Sequence, residues 1–139
     1  MTEDLRGQAE AVLARMSGVP KFLGLTVTVA EKDRVVAEMT IGPDHCTEAD
    51  SVHGGVMMTF ADTVGALGTC LNLRDKQVTT TIESKSNFFA GTPVGNKLIA
   101  ESVPLHRGRR TQVWETSLRH ENGRLAAKIT QTQIVIDIP

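Results

Sequence analysis

Residues 53–71 read His-Gly-Gly-Val-Met-Met-Thr-Phe-Ala-Asp-Thr-Val-Gly-Ala-Leu-Gly-Thr-Cys-Leu. From Val56 onward the apolar residues Met57, Phe60, Ala61, Val64, Leu67 and Leu71 fall at three- and four-residue steps, the period of an α-helix. The positions between them are mostly Val, Met, Ala or Gly, so this helix is apolar nearly all round and a soluble chain has to bury it. Whatever else folds must therefore wrap it. Only Asp62 in the helix body can carry charge. A lone carboxylate in a buried helix is costly unless it is paired or put to use.

The flanking sequence predicts the wrapping. At 139 residues the chain makes one domain, 1–139, with a real core and little room for a second. Leu5, Ala9, Val12, Leu13 and Met16 predict an amphipathic helix over 3–17; Gly18 stops it and Pro20 bars its continuation, so 1–20 reads as N-terminal helix and linker. Alternating patterns predict strands over 22–30 and 34–41, joined by a tight turn at Glu31-Lys32-Asp33. Four more strand-like runs follow the long helix, at 78–89, 95–106, 111–120 and 124–136. The last pair meets at Asn122-Gly123, the strongest short hairpin signal. This order predicts an α+β domain in which one face of a curved antiparallel sheet buries the helix, with Gly65 and Gly68 permitting close approach. Its edge strands need covering, and pairing with a second copy does so most simply.

Composition narrows the function. The 15 basic and 16 acidic residues balance, giving no global reason to expect nucleic acid or a membrane as partner. Two cysteines, Cys46 and Cys70, have no metal or redox spacing and are too few for a disulfide framework, which points to a reducing cytoplasm. The N-terminus carries Glu3 and Asp4 and lacks the apolar run of a signal peptide. Glycines and Asp62 in the central helix argue against a membrane span.

The candidates for chemistry cluster around that helix. Gly54 and Gly55 leave its first N–H groups unshielded, and such a terminus suits a negative oxygen; the plain alternative is a tight turn. Asp50 or Ser51 would cap it. Asp62 reads as a general base or nucleophile, or else as a carboxylate satisfied by hydroxyls such as that of Thr59 or exposed at a subunit seam. Eight residues separate Gly54 from Asp62, roughly 12 Å along a helix, so both cannot grip one carbonyl group. If both act in one reaction they belong to different copies of the chain. His53 lies nine residues from Asp62, about 13 Å along the helix, and reads as a residue holding the loop. His106, Arg107, Arg109 and Arg110 surround Gly108 at a hairpin turn, a cluster suited to phosphates or simply to solvent. Thr79, Thr80, Thr81 and Asn87 line one strand, and Phe88-Phe89 reads as core.

Taken together, these residues resemble the hotdog-fold acyl-CoA thioesterases, in the phenylacetate-pathway and acyl-CoA thioesterase-13-like branch. The likeness spans nearly the whole chain. It rests on Val52-His53-Gly54-Gly55, on Ala61-Asp62 after it, on Thr81-Ile82-Glu83 leading to Asn87-Phe88-Phe89, on Gly108-Arg109, and on Glu121-Asn122-Gly123-Arg124-Leu125-Ala126-Ala127. The resemblance implies a helix wrapped by a sheet, dimers with a continuous sheet, and dimers paired into tetramers. It implies hydrolysis of an acyl-CoA thioester, with no metal or cofactor beyond the coenzyme A of the substrate. Gly54 would polarise the thioester carbonyl, flanked by His53 and Gly55, and Asp62 of the other subunit would be nucleophile or base. Thr81 would position water; Asn87, Phe88, Gly108, Arg109 and Arg110 fall on the strand and hairpin that hold the substrate. Thr47 stands where the family usually has an Asn near the carbonyl oxygen, and Asp50 where it usually has Gly. A non-catalytic acyl-CoA-binding module and a hotdog hydratase or dehydratase are the alternatives; the chain lacks the proline-bracketed His loop of the latter.

Overall fold

The structure, a computed structural model, describes residues 4–139. Helix α1 (Leu5–Arg15) leads into a short α2 (Val19–Leu23), then strands β1 (Thr26–Glu31) and β2 (Arg34–Thr40). The long helix α3 (Gly54–Cys70) follows, and then β3 (Gln77–Phe88), β4 (Lys97–Arg107), β5 (Thr111–His120) and β6 (Leu125–Asp137). The six strands form one antiparallel sheet in the order β1-β2-β4-β5-β6-β3. Helix α3 lies across it. Phe60, Ala61, Val64 and Leu67 are at most 1% exposed and pack on Val35, Ala37, Leu98, Ala100, Leu118 and Ile129 of the sheet.

Two glycines set how closely helix and sheet approach. A Cβ at Gly68 would lie 2.6 Å from the Trp114 ring, and one at Gly65 would lie 2.4 Å from Gln131 Oε1. No real side chain tolerates such distances, so the glycines are what let α3 sit down on β5 and β6. The hairpins also form as their sequences require. Glu31 pairs with Arg34 across a two-residue turn, and Gly123 takes φ 89° between β5 and β6.

Several expectations need correction. Phe22 belongs to α2 and the first strand starts at Thr26, because Pro20 stops α1 from continuing yet fits the first turn of a new helix. The expected first-helix start at Glu3 lies outside the described residues. Helix α3 is not buried all round within one chain: Met58, Thr59, Asp62 and Ala66 form a half-buried stripe. Phe88 and Phe89 are not core, being 48% and 58% exposed at the end of edge strand β3. Among the described residues no helix is long and apolar enough to cross a membrane.

Candidate active site

The start of α3 is capped by His53, not by Asp50 or Ser51. His53 has extended backbone (φ −68°, ψ 134°), and its Nδ1 accepts the Gly55 N–H at 2.8 Å. Val56 and Met57 both donate to the His53 carbonyl, at 2.9 and 3.2 Å. So the first turn is not open at both glycines, as its sequence suggests. Only the Gly54 N–H of that turn lacks a partner among the described residues. It sits at the positive end of a 17-residue helix, where a developing negative oxygen is favoured. Val52, Met57, Phe88 and Ala90 line the apolar groove it opens on, and the Phe88 ring lies so close that a Cβ at Gly54 would be 3.2 Å from it.

Two turns further on, Asp62 faces a second groove with Gly55, Met58, Thr59, Thr81 and Ser84. It is half-buried, and the hydroxyl satisfying it comes from Thr81, which donates to Oδ1 at 2.7 Å. Thr59 instead donates back to the Gly55 carbonyl within the helix. Gln131 Nε2 reaches both Asp62 Oδ1 and its main-chain oxygen, each at 3.2 Å. Oδ2 has no protein partner among the described residues. Thus Gly54 and Asp62 occupy one helix but open on different grooves.

The basic hairpin takes a different shape from the one its sequence implies. Arg107 and Arg109 line a polar groove with Gly108, Asn72 and Arg74, the last two from the turn after α3; Arg110 lies outside it. Arg107 Nη1 donates to the Lys32 carbonyl at 3.0 Å, tying the hairpin to the β1–β2 turn. Asn87 is exposed on β3 and accepts from Lys85 Nζ at 3.1 Å.

Both departures from the family pattern fall in the loop before α3. Thr47 is exposed, with its N–H and Oγ1 both donating to the Ser51 carbonyl, at 2.9 and 3.3 Å. Asp50 has φ 52°, the left-handed region where Gly is the default and Asp is tolerated. His45 is buried and spends both ring nitrogens on structure: Nδ1 accepts from Gly42 N–H at 2.9 Å, and Nε2 donates to the Phe22 carbonyl at 2.6 Å. The thiol of Cys70, at the end of α3, is pushed up chiefly by burial, against a smaller opposing pull from Arg15. It is therefore a poor nucleophile.

Sequence reasoning missed Gln131, Gln133 and Arg74. The first two sit in an alternating strand, Thr130-Gln131-Thr132-Gln133, where the inward-facing members are polar yet 0% exposed. That inversion of the usual pattern is the available signal.

With this geometry in hand, comparison with known proteins decides the family. Residues 49–127 match the model of the thioesterase superfamily. The chain belongs to the thioesterase superfamily. It is 28% identical over 104 residues to the proofreading thioesterase EntH of Cronobacter sakazakii, covering 75% of each. It is 23% identical over 108 residues to the 1,4-dihydroxy-2-naphthoyl-CoA hydrolase of Listeria monocytogenes, covering 78% of this chain and 87% of that one. The solved structure of PaaI, from the phenylacetic acid degradation operon of E. coli, superposes with a TM-score of 0.85 at 20% identity, over 96% of each chain. That likeness establishes the hotdog fold. By family the chain is a thioester hydrolase.

Proposed function

We propose that the chain hydrolyses an acyl-CoA thioester to a free acid and coenzyme A, at a site assembled from two copies. One observation carries this reading. The N–H at the start of α3 that is unpaired among the described residues and the single acid on that helix lie eight residues apart, roughly 12 Å. A thioester carbonyl cannot touch both within one chain.

Two chains resolve the conflict. Gly54 of one holds the carbonyl oxygen, whose negative charge grows as the carbon becomes tetrahedral. Asp62 of the other works from the opposite face, either attacking the carbon or taking a proton from water. With water as the attacker, the proton taken by Asp62 passes to the thiolate as the C–S bond breaks. With Asp62 as the attacker, the thiolate leaves an acyl-aspartyl anhydride. Water cleaves it to the free acid and the restored carboxylate, the water's proton going to the thiolate. Thr81 steadies the carboxylate. Neither step calls on a metal or a cofactor. Edge strand β3 offers the seam, being 12 residues long with Val78, Ile82 and Phe88 41%, 58% and 48% exposed. Such an edge suits pairing with its own copy, and paired dimers would give the tetramer.

The remaining grooves match the parts of the substrate. Apolar walls at Val52, Met57 and Phe88 beside Gly54 suit the acyl chain. The Gly108–Arg109 hairpin with Arg107 and Arg74 suits nucleotide phosphates; Arg110 lies outside that groove, and Asn87 is at the other end of β3 from Gln77, which lines it. Two free cysteines fit a reducing compartment, and we place the reaction in the cytoplasm. The Listeria relative is named for hydrolysis of an aromatic acyl-CoA, which supports a CoA thioester here.

A panel of short-chain, long-chain and aromatic acyl-CoAs, followed by thiol release, tests this directly. Release from at least one class is expected. No release from any, with tight coenzyme A binding in calorimetry, would make the chain a binding module instead.

A further inference from the structure

Beneath Asp62 lies a glutamine that a hydrophobic core has no reason to hold. Gln131 is in mid-β6, 0% exposed, between Trp114 of β5 and Ser84 of β3 as cross-strand neighbours. Its Nε2 is 3.2 Å from Asp62 Oδ1 and 3.2 Å from the Asp62 main-chain oxygen. Both are acceptors, so only the NH2 end of the amide can face them, with one hydrogen for each. Its own Oε1 is buried against Gly65 with no partner among the described residues.

A second glutamine fixes the other donor. Gln133, also 0% exposed and paired with Thr81 across the strands, donates from Nε2 to Thr81 Oγ1. Its Oε1 lies 3.0 Å from Thr79 Oγ1, whose one hydrogen is shared with the Ile134 carbonyl at 2.8 Å. With its oxygen accepting from Gln133, Thr81 has its own hydrogen left for Asp62 Oδ1. Among the described residues Oδ1 therefore receives two donors and Oδ2 none.

We propose that Gln131 is a positioning residue: it holds the Asp62 carboxylate edge-on, so that Oδ1 is occupied and Oδ2 alone faces the reacting group. This rests on the reading of Asp62 as the acid of the site. A buried amide with an unmet carbonyl oxygen burdens the fold, whereas a thioether of similar size would not. Keeping the amide gains nothing for packing. It does give a carboxylate its fixed angle, and a misplacement of about 1 Å in such a group costs about a hundredfold in rate.

Gln131→Met tests the proposal. The melting temperature should hold or rise and KM should stay within about twofold, while kcat falls about 10- to 100-fold. Introduced into Asp62→Asn, the same change should alter the residual kcat by less than about twofold, because no carboxylate is left to aim. An unchanged kcat in Gln131→Met would overturn the proposal. So would an equal fold-loss in both backgrounds, the mark of a purely structural residue. A loss of stability scales both rates alike, so the comparison holds even where the variant is less stable. The two readings also separate: full activity in Asp62→Asn removes Asp62 itself, whereas an inactive Asp62→Asn beside an unimpaired Gln131→Met removes only the role of Gln131.

Discussion

Asp62→Asn lowers kcat for thioester hydrolysis by about a thousandfold, with KM within about threefold of wild type. The size of the effect follows from what the substitution keeps. Asn has the same shape and retains an acceptor for Thr81 and Gln131, so both contacts to Oδ1 survive. It loses the charge and the basic oxygen at Oδ2, the carboxylate oxygen without a partner among the described residues. Binding of the acyl chain and the coenzyme depends on other walls and should change little. A melting temperature close to that of wild type would show that the loss is chemical. Equal kcat values for the two proteins would remove Asp62 from the reaction.

Gly54→Pro is the second severe substitution, with an expected loss in kcat of about a hundred- to a thousandfold, the cost of one oxyanion donor. Proline fits the first position of a helix, where the N–H is unpaired in any case. The preceding residue must be extended, and His53 already is, at φ −68° and ψ 134°. Phe88, which the new ring would crowd, is 48% exposed and free to shift. The substitution thus deletes a single hydrogen-bond donor and leaves the helix standing. Gly54→Ala serves as the control, since it adds a Cβ 3.2 Å from the Phe88 ring but keeps the N–H. It should cost less than about tenfold in steady-state kcat. Similar losses in the two variants would mean that crowding at Phe88, not the missing donor, explains both.

How much of this was legible in the residues depended on whether the signal was periodic. The α3 pattern shows in sequence because its buried positions repeat every three or four residues, and the hairpins show because two-residue turns need particular side chains. Helix α2 did not show: five residues carry no period, and Pro20 looks like an end when it is also a beginning. The cap escaped for a related reason. Asp50 and Ser51 are the usual capping types, yet Asp50 is in the left-handed region, and the imidazole of His53 takes the Gly55 N–H instead.

The surroundings of Asp62 were the least readable part. Its nearest candidate in sequence, Thr59, bonds to its own helix, while the real partners come from β3 and β6, 19 and 69 residues away. Strand alternation announces which residues point inward, but it does not say which helical residue each will meet. Arg74 was hidden in the same way, in a polar turn that the fold brings against the β4–β5 hairpin. By contrast, the spacing of Gly54 and Asp62 along one helix needed no tertiary information: if both act on one carbonyl, they come from two copies.

That assembly can be measured with two dead proteins. Asp62→Asn and Gly54→Pro are mixed in equal amounts, reassorted through mild denaturant, and assayed for thiol release. Half of the resulting dimers are hybrids, and each has one site with an intact glycine from one chain and an intact aspartate from the other. About a quarter of wild-type activity should therefore return. A mixture as inactive as its two components would place both groups of each site on a single chain and contradict the shared site.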